Sequence, residues 1–336
     1  MKRPFHRAVF FFFLIFFLFF SDTAFSRELV VYSARKEHLI QPVFNRYTKE
    51  SGIQIKYITD KAPVLLQRLK AEADNTPADL LITVDAGNLW HADNEGLLHP
   101  VSSNILVANI PRHLRDPENK WFGLSLRART IVYSTKRVKP EDLSTYEALA
   151  DPKWKKRLVL RTSKKVYNQS LVAMLIKEHG EQKAAEIVKG WVNNLSTAPF
   201  SNDTKTMEAI LAGQGDVGIV NTYYYGRLVK KTPDIPLALF WPNQASSGVH
   251  VNVSGVGVVA ASKNKAQAIA FLEWLSGGAA QKLFADANME YPVNPKVPIH
   301  PMVASWGTFK QNTINLKNAG EYQSAAIRLM DRVGYK

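Results

Sequence analysis

The chain has 336 residues, of which 46% are hydrophobic and 21% charged; that length predicts two domains, and that composition excludes a disordered chain. There is no cysteine, which excludes disulfides, thiolate metal sites, zinc ribbons and cysteine nucleophiles. The formal net charge is +14, but its lysines and arginines are spread along the chain, so solvated faces or an anionic partner explain the sign better than nucleic acid.

The first residues stand apart. Lys2, Arg3 and Arg7 precede an apolar run over 8–20, and Ala24 and Ser26 then suit the small-residue cleavage rule. This layout predicts a secretory signal peptide over 1–26 and export of the mature chain. A membrane span needs roughly 20 apolar residues, and the run is shorter. The segment carries net +2, which leaves +12 on the mature chain.

From residue 28 the chain alternates strand and helix. A strand is predicted over 28–32. Ile40, Val43, Phe44 and Tyr47 then recur at helical spacing until Gly52. A strand over 53–58, a helix around Leu65, Leu66 and Leu69, and a buried strand over 78–84 complete an α/β unit with a parallel sheet. A long strand follows over 123–134, with Arg127 and Arg129 on one face. A second α/β pattern starts after it: a strand over 158–161, helices over 170–178 and 182–195, and a strand over 217–220. A second long apolar strand over 249–261 precedes helices over 266–275 and 279–287. The expected fold is therefore α/β and two-lobed, each lobe a mostly parallel sheet flanked by helices. The two long strands carry the chain across twice as a hinge. The expected division is 27–125 with 252–300 for the first lobe, and 126–251 with 301–336 for the second. Ligand sites favour such a cleft and the carboxyl ends of the strands that face it.

No Walker A pattern and no nucleophile elbow is present, and no two of the eight histidines lie three or four residues apart. No local carboxylate pair nominates an acid and a base. Nothing in the chain points to an enzyme.

The tyrosines carry more. Tyr223, Tyr224 and Tyr225 follow the strand over 217–220 and precede a helical run over 226–231. On composition alone such a run belongs to a core. Its place at a strand-to-helix junction, where irregular backbone can aim adjacent side chains at one point, suits a ligand site instead. Tyr167 stands at a second such junction. A phenol titrates near 10, but a trivalent hard cation stabilises the phenolate. Arg35 follows the first strand, and Arg127 and Arg129 lie on the first crossover. Guanidinium groups bind planar oxyanions bidentately, or form inter-lobe salt bridges.

Taken together, VVYSARKEHL (30–39), NTPADLLITVDAGNLW (75–90), WFGLSLRARTIVYS (121–134), KVYNQSL (165–171), GDVGIVNTYYYGRL (215–228), VHVNVSGVGV (249–258) and NMEYPVNP (288–295) resemble the periplasmic ferric-iron-binding proteins of ABC importers. The resemblance implies a type II binding-protein fold and Fe3+ as cargo. It places ferric ligands at Tyr167, Tyr223 and Tyr224, with Tyr225 outside the ligand set. Some branches of the family use a His or Tyr after the Y-S-x-R sequence, where this chain has Lys36 and Glu37. It looks like the branch that adds a synergistic anion, often carbonate, which Arg35 and Arg127 would anchor. Glu37 reads either as an added ligand or as a solvated carboxylate. The implied partner is an inner-membrane ABC permease, and the implied state a monomer. The alternative cargo on the same fold is a small organic or phosphate-bearing anion.

Overall fold

The alternation read from the sequence folds into two lobes threaded by two shared strands. The structure is a computed structural model that describes residues 28–336, and the predicted signal peptide lies outside the described residues. The first lobe opens with β1 (Glu28–Ser33), α1 (Glu37–Ser51), β2 (Gln54–Thr59), α2 (Ala62–Glu72), β3 (Leu80–Val84), α3 (Ala86–Asn94), β4 (Leu98–His99) and α4 (Asn104–Asn109). β1 pairs in parallel with β2 and with β3. α1 buries Leu39, Ile40, Val43, Phe44 and Tyr47, the face its apolar spacing predicts. It stops at Gly52, whose φ of 73° lets its amide bond the Thr48 carbonyl at 2.9 Å.

β5 (Phe122–Ser134) is buried along its whole length. The second lobe continues with β6 (Leu158–Val159), α5 (Val166–His179), α6 (Glu181–Asn194), α7 (Asp203–Leu211), β7 (Val217–Asn221), α8 (Thr222–Lys231) and β8 (Leu237–Phe240). The chain returns through β9 (Val251–Val259), α9 (Lys265–Ser276), α10 (Gly278–Asp286) and β10 (Tyr291–Pro292). It ends with α11 (Pro301–Ala304), α12 (Asn318–Glu321) and α13 (Gln323–Arg332).

β5 belongs to both lobes. Up to Ala128 it pairs antiparallel with β9, and from Arg129 it pairs antiparallel with β7. β9 in turn runs antiparallel to β3. The strand order is β2-β1-β3-β9-β5-β7-β6, so the crossing strands stand at the centre. Where the pairing switches partner, the Arg129 amide bonds the His250 carbonyl at 3.0 Å.

One apolar core forms around Val31, Leu80, Phe122, Val256 and Phe271 in the first lobe. Another gathers Ile131, Trp154, Leu175, Trp191 and Ile219 in the second, with a smaller cluster around Val159, Met207 and Val220. The last segment touches both lobes. Val303 and Leu316 join the first core, whereas Ala326, Leu329 and Met330 join the second. Between them α12 packs on α3 and on α5. The chain therefore crosses between lobes three times, not twice.

Candidate functional site

A cleft of about 610 Å³ opens between the lobes. The first lobe lines it with Arg35, Lys36, Ser254, Asn288 and Glu290; Arg127 on β5 and the second lobe's Tyr167, Tyr223, Tyr224, Lys205 and Arg227 close it. Two helix starts bring the tyrosines there. Tyr167 sits in the first turn of α5, and Tyr223 and Tyr224 sit in the first turn of α8. The expected irregular junction is thus corrected. The helix begins at Thr222 rather than 226, so the tyrosine run is helical. Neighbours in a helix diverge by about 100°, and yet the rings of Tyr223 and Tyr224 lie 4.5 Å apart at 30°. Tyr223 is buried in the larger core cluster, and the half-buried Tyr224 packs against that cluster and the smaller one of the second lobe.

Tyr225 points away. Its hydroxyl donates to the Leu237 carbonyl at 3.2 Å, and its ring packs edge-on against Trp306.

Cations surround the phenol rings. The Arg127 and Arg161 guanidinium groups lie 5.4 and 4.9 Å from the Tyr167 ring. Arg227 lies 5.0 Å from the Tyr223 ring and 5.5 Å from that of Tyr224. Burial pushes the Tyr167 hydroxyl above its ordinary value, against the pull of Arg127. Tyr223 is pushed up further, by burial and then by the neighbouring phenols of Tyr167 and Tyr224. Both shifts favour the protonated form of Tyr167 and Tyr223, and a hard trivalent cation is chemically suited to replace such a proton.

The arginines divide into two kinds. Arg35 gives one nitrogen, Nη1, to Ser125 Oγ at 3.2 Å, Ser254 Oγ at 2.8 Å and Glu290 Oε2 at 2.9 Å. Its Nε and Nη2 are buried and have no hydrogen-bond partner among the described residues. Arg127 gives Nη2 to Asp85 at 3.3 Å, and its Nη1 is likewise buried without a partner among the described residues. Buried donors in that state carry a desolvation cost of about 1–3 kcal/mol each, which a bound oxyanion removes. Arg129 is different. It bonds Asn168, Asp203, Asn221 and the Ile219 carbonyl within the second lobe, and it has no part in the cleft lining. Two residues apart on one strand, Arg127 and Arg129 fall on either side of the partner switch.

Glu37 is outside the cleft lining, and its carboxylate accepts the Tyr57 hydroxyl at 2.9 Å. Among the described residues no cluster of three or more His, Asp or Glu could hold a metal. The oxygen donors in the cleft include the phenols of Tyr167, Tyr223 and Tyr224 beside the Glu208 and Glu290 carboxylates, of which Glu290 is taken up by Arg35.

Glu290 was not singled out in the sequence, although it stands inside the NMEYPVNP segment. Burial alone would raise its carboxyl, but the Arg35 and Arg127 charges and the Ser125 hydroxyl hold it below the usual carboxylate range. Arg161 and Asp203 were missed too. Arg161 Nη1 meets Asp203 Oδ1 at 3.3 Å, and Asp203 Oδ2 meets Arg129 Nη1 at 3.1 Å, beneath the tyrosines.

Known proteins share this architecture. The chain is 44% identical over 316 residues to iron uptake protein A1 of Synechocystis, covering 92% of this chain and 88% of that one. The structure of Trichodesmium FutA in complex with iron and citrate superposes with a TM-score of 0.89 at 44% identity, covering 92% of this chain and all of that one. Mannheimia haemolytica ferric iron-binding protein A in an open conformation gives 0.86 at 36%, covering 92% and 98%. The model of the bacterial extracellular solute-binding protein family matches residues 75–312. The chain belongs to that family, beside the two-lobed periplasmic ferric-iron-binding proteins.

Proposed function

We propose that this protein is the periplasmic substrate-binding component of a ferric iron ABC importer. In this reading Tyr167, Tyr223 and Tyr224 bind Fe3+ as phenolates, and a synergistic anion, carbonate or bicarbonate, bridges the metal to Arg35 and Arg127. The observation that carries the reading is the meeting, in one inter-lobe cleft, of three tyrosines with buried arginine donors that lack partners. Three phenolates neutralise the charge of the ferric ion, and an oxyanion satisfies the arginines. The iron-uptake names and titles of the relatives support the same cargo.

The tyrosines belong to the second lobe and Arg35 to the first. Iron would bind the tyrosines first, and closure would then bring Arg35 to the anion. Loss of the anion, reduction to the ferrous ion or protonation of the phenolates would release the cargo to the permease. The exported chain would act as a monomer.

Ferric citrate with bicarbonate, added to iron-free protein, should produce a visible phenolate-to-iron charge-transfer band. Replacing both Tyr223 and Tyr224 with Phe should abolish it while the protein stays folded. A folded protein that gains no colour, and that binds phosphate esters by calorimetry, would instead carry the anion alone.

A further inference from the structure

Behind the phenols, a line of hydrogen bonds runs from the anion-binding arginine across the cleft. Glu290 Oε2 holds Arg35 Nη1 at 2.9 Å and also accepts the Ser125 hydroxyl. Its other oxygen accepts from Asn288 Nδ2 at 2.7 Å. An ionised carboxylate only accepts, so the Asn288 amide must turn its NH2 towards Glu290. The amide oxygen is thereby aimed at Arg227, from which it accepts Nε at 3.1 Å and also Nη2. Arg227 lies over both tyrosine rings.

Asn288 and Glu290 precede β10 in the first lobe, whereas Arg227 is exposed on α8 in the second. We propose that Glu290, Asn288 and Arg227 form a relay that couples anion occupancy at Arg35 to closure over the tyrosine pair. The relay rests on the ferric reading given above. Its three members are positioning residues.

An anion on Nε and Nη2 pins the Arg35 guanidinium against Glu290. With that carboxylate fixed, the Asn288 amide stays oriented, and its oxygen presents one aimed acceptor to Arg227 across the cleft. Charge-assisted bonds in such a line polarise one another, and each is stronger than a neutral bond. When the anion leaves, Arg35 keeps only its Nη1 bonds to Ser125, Ser254 and Glu290, so its hold on that carboxylate loosens and the contact between lobes weakens. The relay thus ties the anion to the retention of the metal without touching the metal itself.

The test is iron release from the coloured complex into excess EDTA, followed at the charge-transfer band over a bicarbonate series. Asn288→Ala removes the middle of the relay. Arg227→Gln removes its far end at an exposed position, where the substitution does not threaten folding. Each variant should release iron about tenfold faster than the unaltered protein at high bicarbonate, the effect of losing one charge-assisted hydrogen bond. Each should also respond less steeply to bicarbonate. The double variant should release no faster than either single one, because all three lack the same contact. Release at the unaltered rate in both single variants, or multiplied effects in the double, overturns the relay and leaves the ferric reading standing. An unaltered protein that forms no coloured complex overturns both.

Discussion

At the scale of single residues, the switch point between the lobes carries a cost. His250 precedes β9 there and is 4% exposed. Burial, and then the Arg129 and Arg127 charges, push its imidazole down to about 3. An unfolded histidine takes its proton near 6.5, and the native one refuses it. The residue's contribution to stability is therefore complete above that value and is lost as the pH falls towards 3. One unit in this window is worth up to about 1.4 kcal/mol. Between pH 7 and pH 5, the unaltered protein should lose about 2 kcal/mol more unfolding free energy in urea than His250→Gln. Equal losses would show that His250 is protonated in the native state. The candidate site was partly legible at this scale. Tyr167, Tyr223 and Tyr224 were marked by their place after strands, Arg35 by following the first strand and Arg127 by lying on the first crossover. Glu290 and Asn288 carry no such local mark. Glu290 meets Arg35 across 255 residues of sequence, and only the fold joins them.

Among the elements, α8 shows what sequence periodicity reads and what it misses. Its first turn was expected to be irregular because it lies at a strand-to-helix junction, and tyrosine's modest helical preference gives no signal against that reading. α7 and α13 were missed for a related reason. α7 buries Asp203, Thr206, Met207, Ala209 and Ile210 at helical spacing, but the first two are polar and hide the apolar period, while α13 buries only Ala326, Leu329 and Met330. In the first lobe β1, α1, β2, α2, β3, α9 and α10 were read within a few residues of their ends, whereas the short α3, β4 and α4 were not read. α8 also holds Gly226, where a Cβ would lie 2.8 Å from the Trp306 ring and 3.1 Å from Met289 Cβ. Alanine is the better helix former by about 1 kcal/mol, but overpacking costs about 1–3 kcal/mol. Gly226→Ala should thus lower stability by about 1 kcal/mol on balance, and it should push the tyrosine helix away from the first lobe. A lower thermal midpoint together with faster iron release is the expected pair of results. A higher midpoint would mean that Trp306 gives way and that helix preference decides the sign.

For the whole molecule, the question is how two separate cores act as one device. β5 lends its first part to one sheet and its second part to the other, so the lobes share backbone at the switch between Ala128 and Arg129. α12 ties them again from the last segment. A rotation about these three crossings would displace residues beside them, such as Arg127, less than those at the cleft mouth. Side-chain contacts join the lobes: beside Arg127 the buried Ser170 donates to Asp85 at 2.7 Å, and at the cleft Arg227 reaches Asn288. A ligand that touches Arg35 and the tyrosines together adds contacts available only when the lobes meet, and a population can shift only by such a difference. Because the chain has no cysteine, paired labels can be placed without interference. Spin labels at His38→Cys on the first lobe and Leu211→Cys on the second should come closer, with a narrower distance distribution, when ferric ion and bicarbonate are added. Labels at Lys183→Cys and Leu211→Cys, both on the second lobe, should keep their separation. If the pair across the cleft stays unchanged while the charge-transfer colour appears, iron is held by the second lobe alone, and Arg35 does not reach the anion through closure.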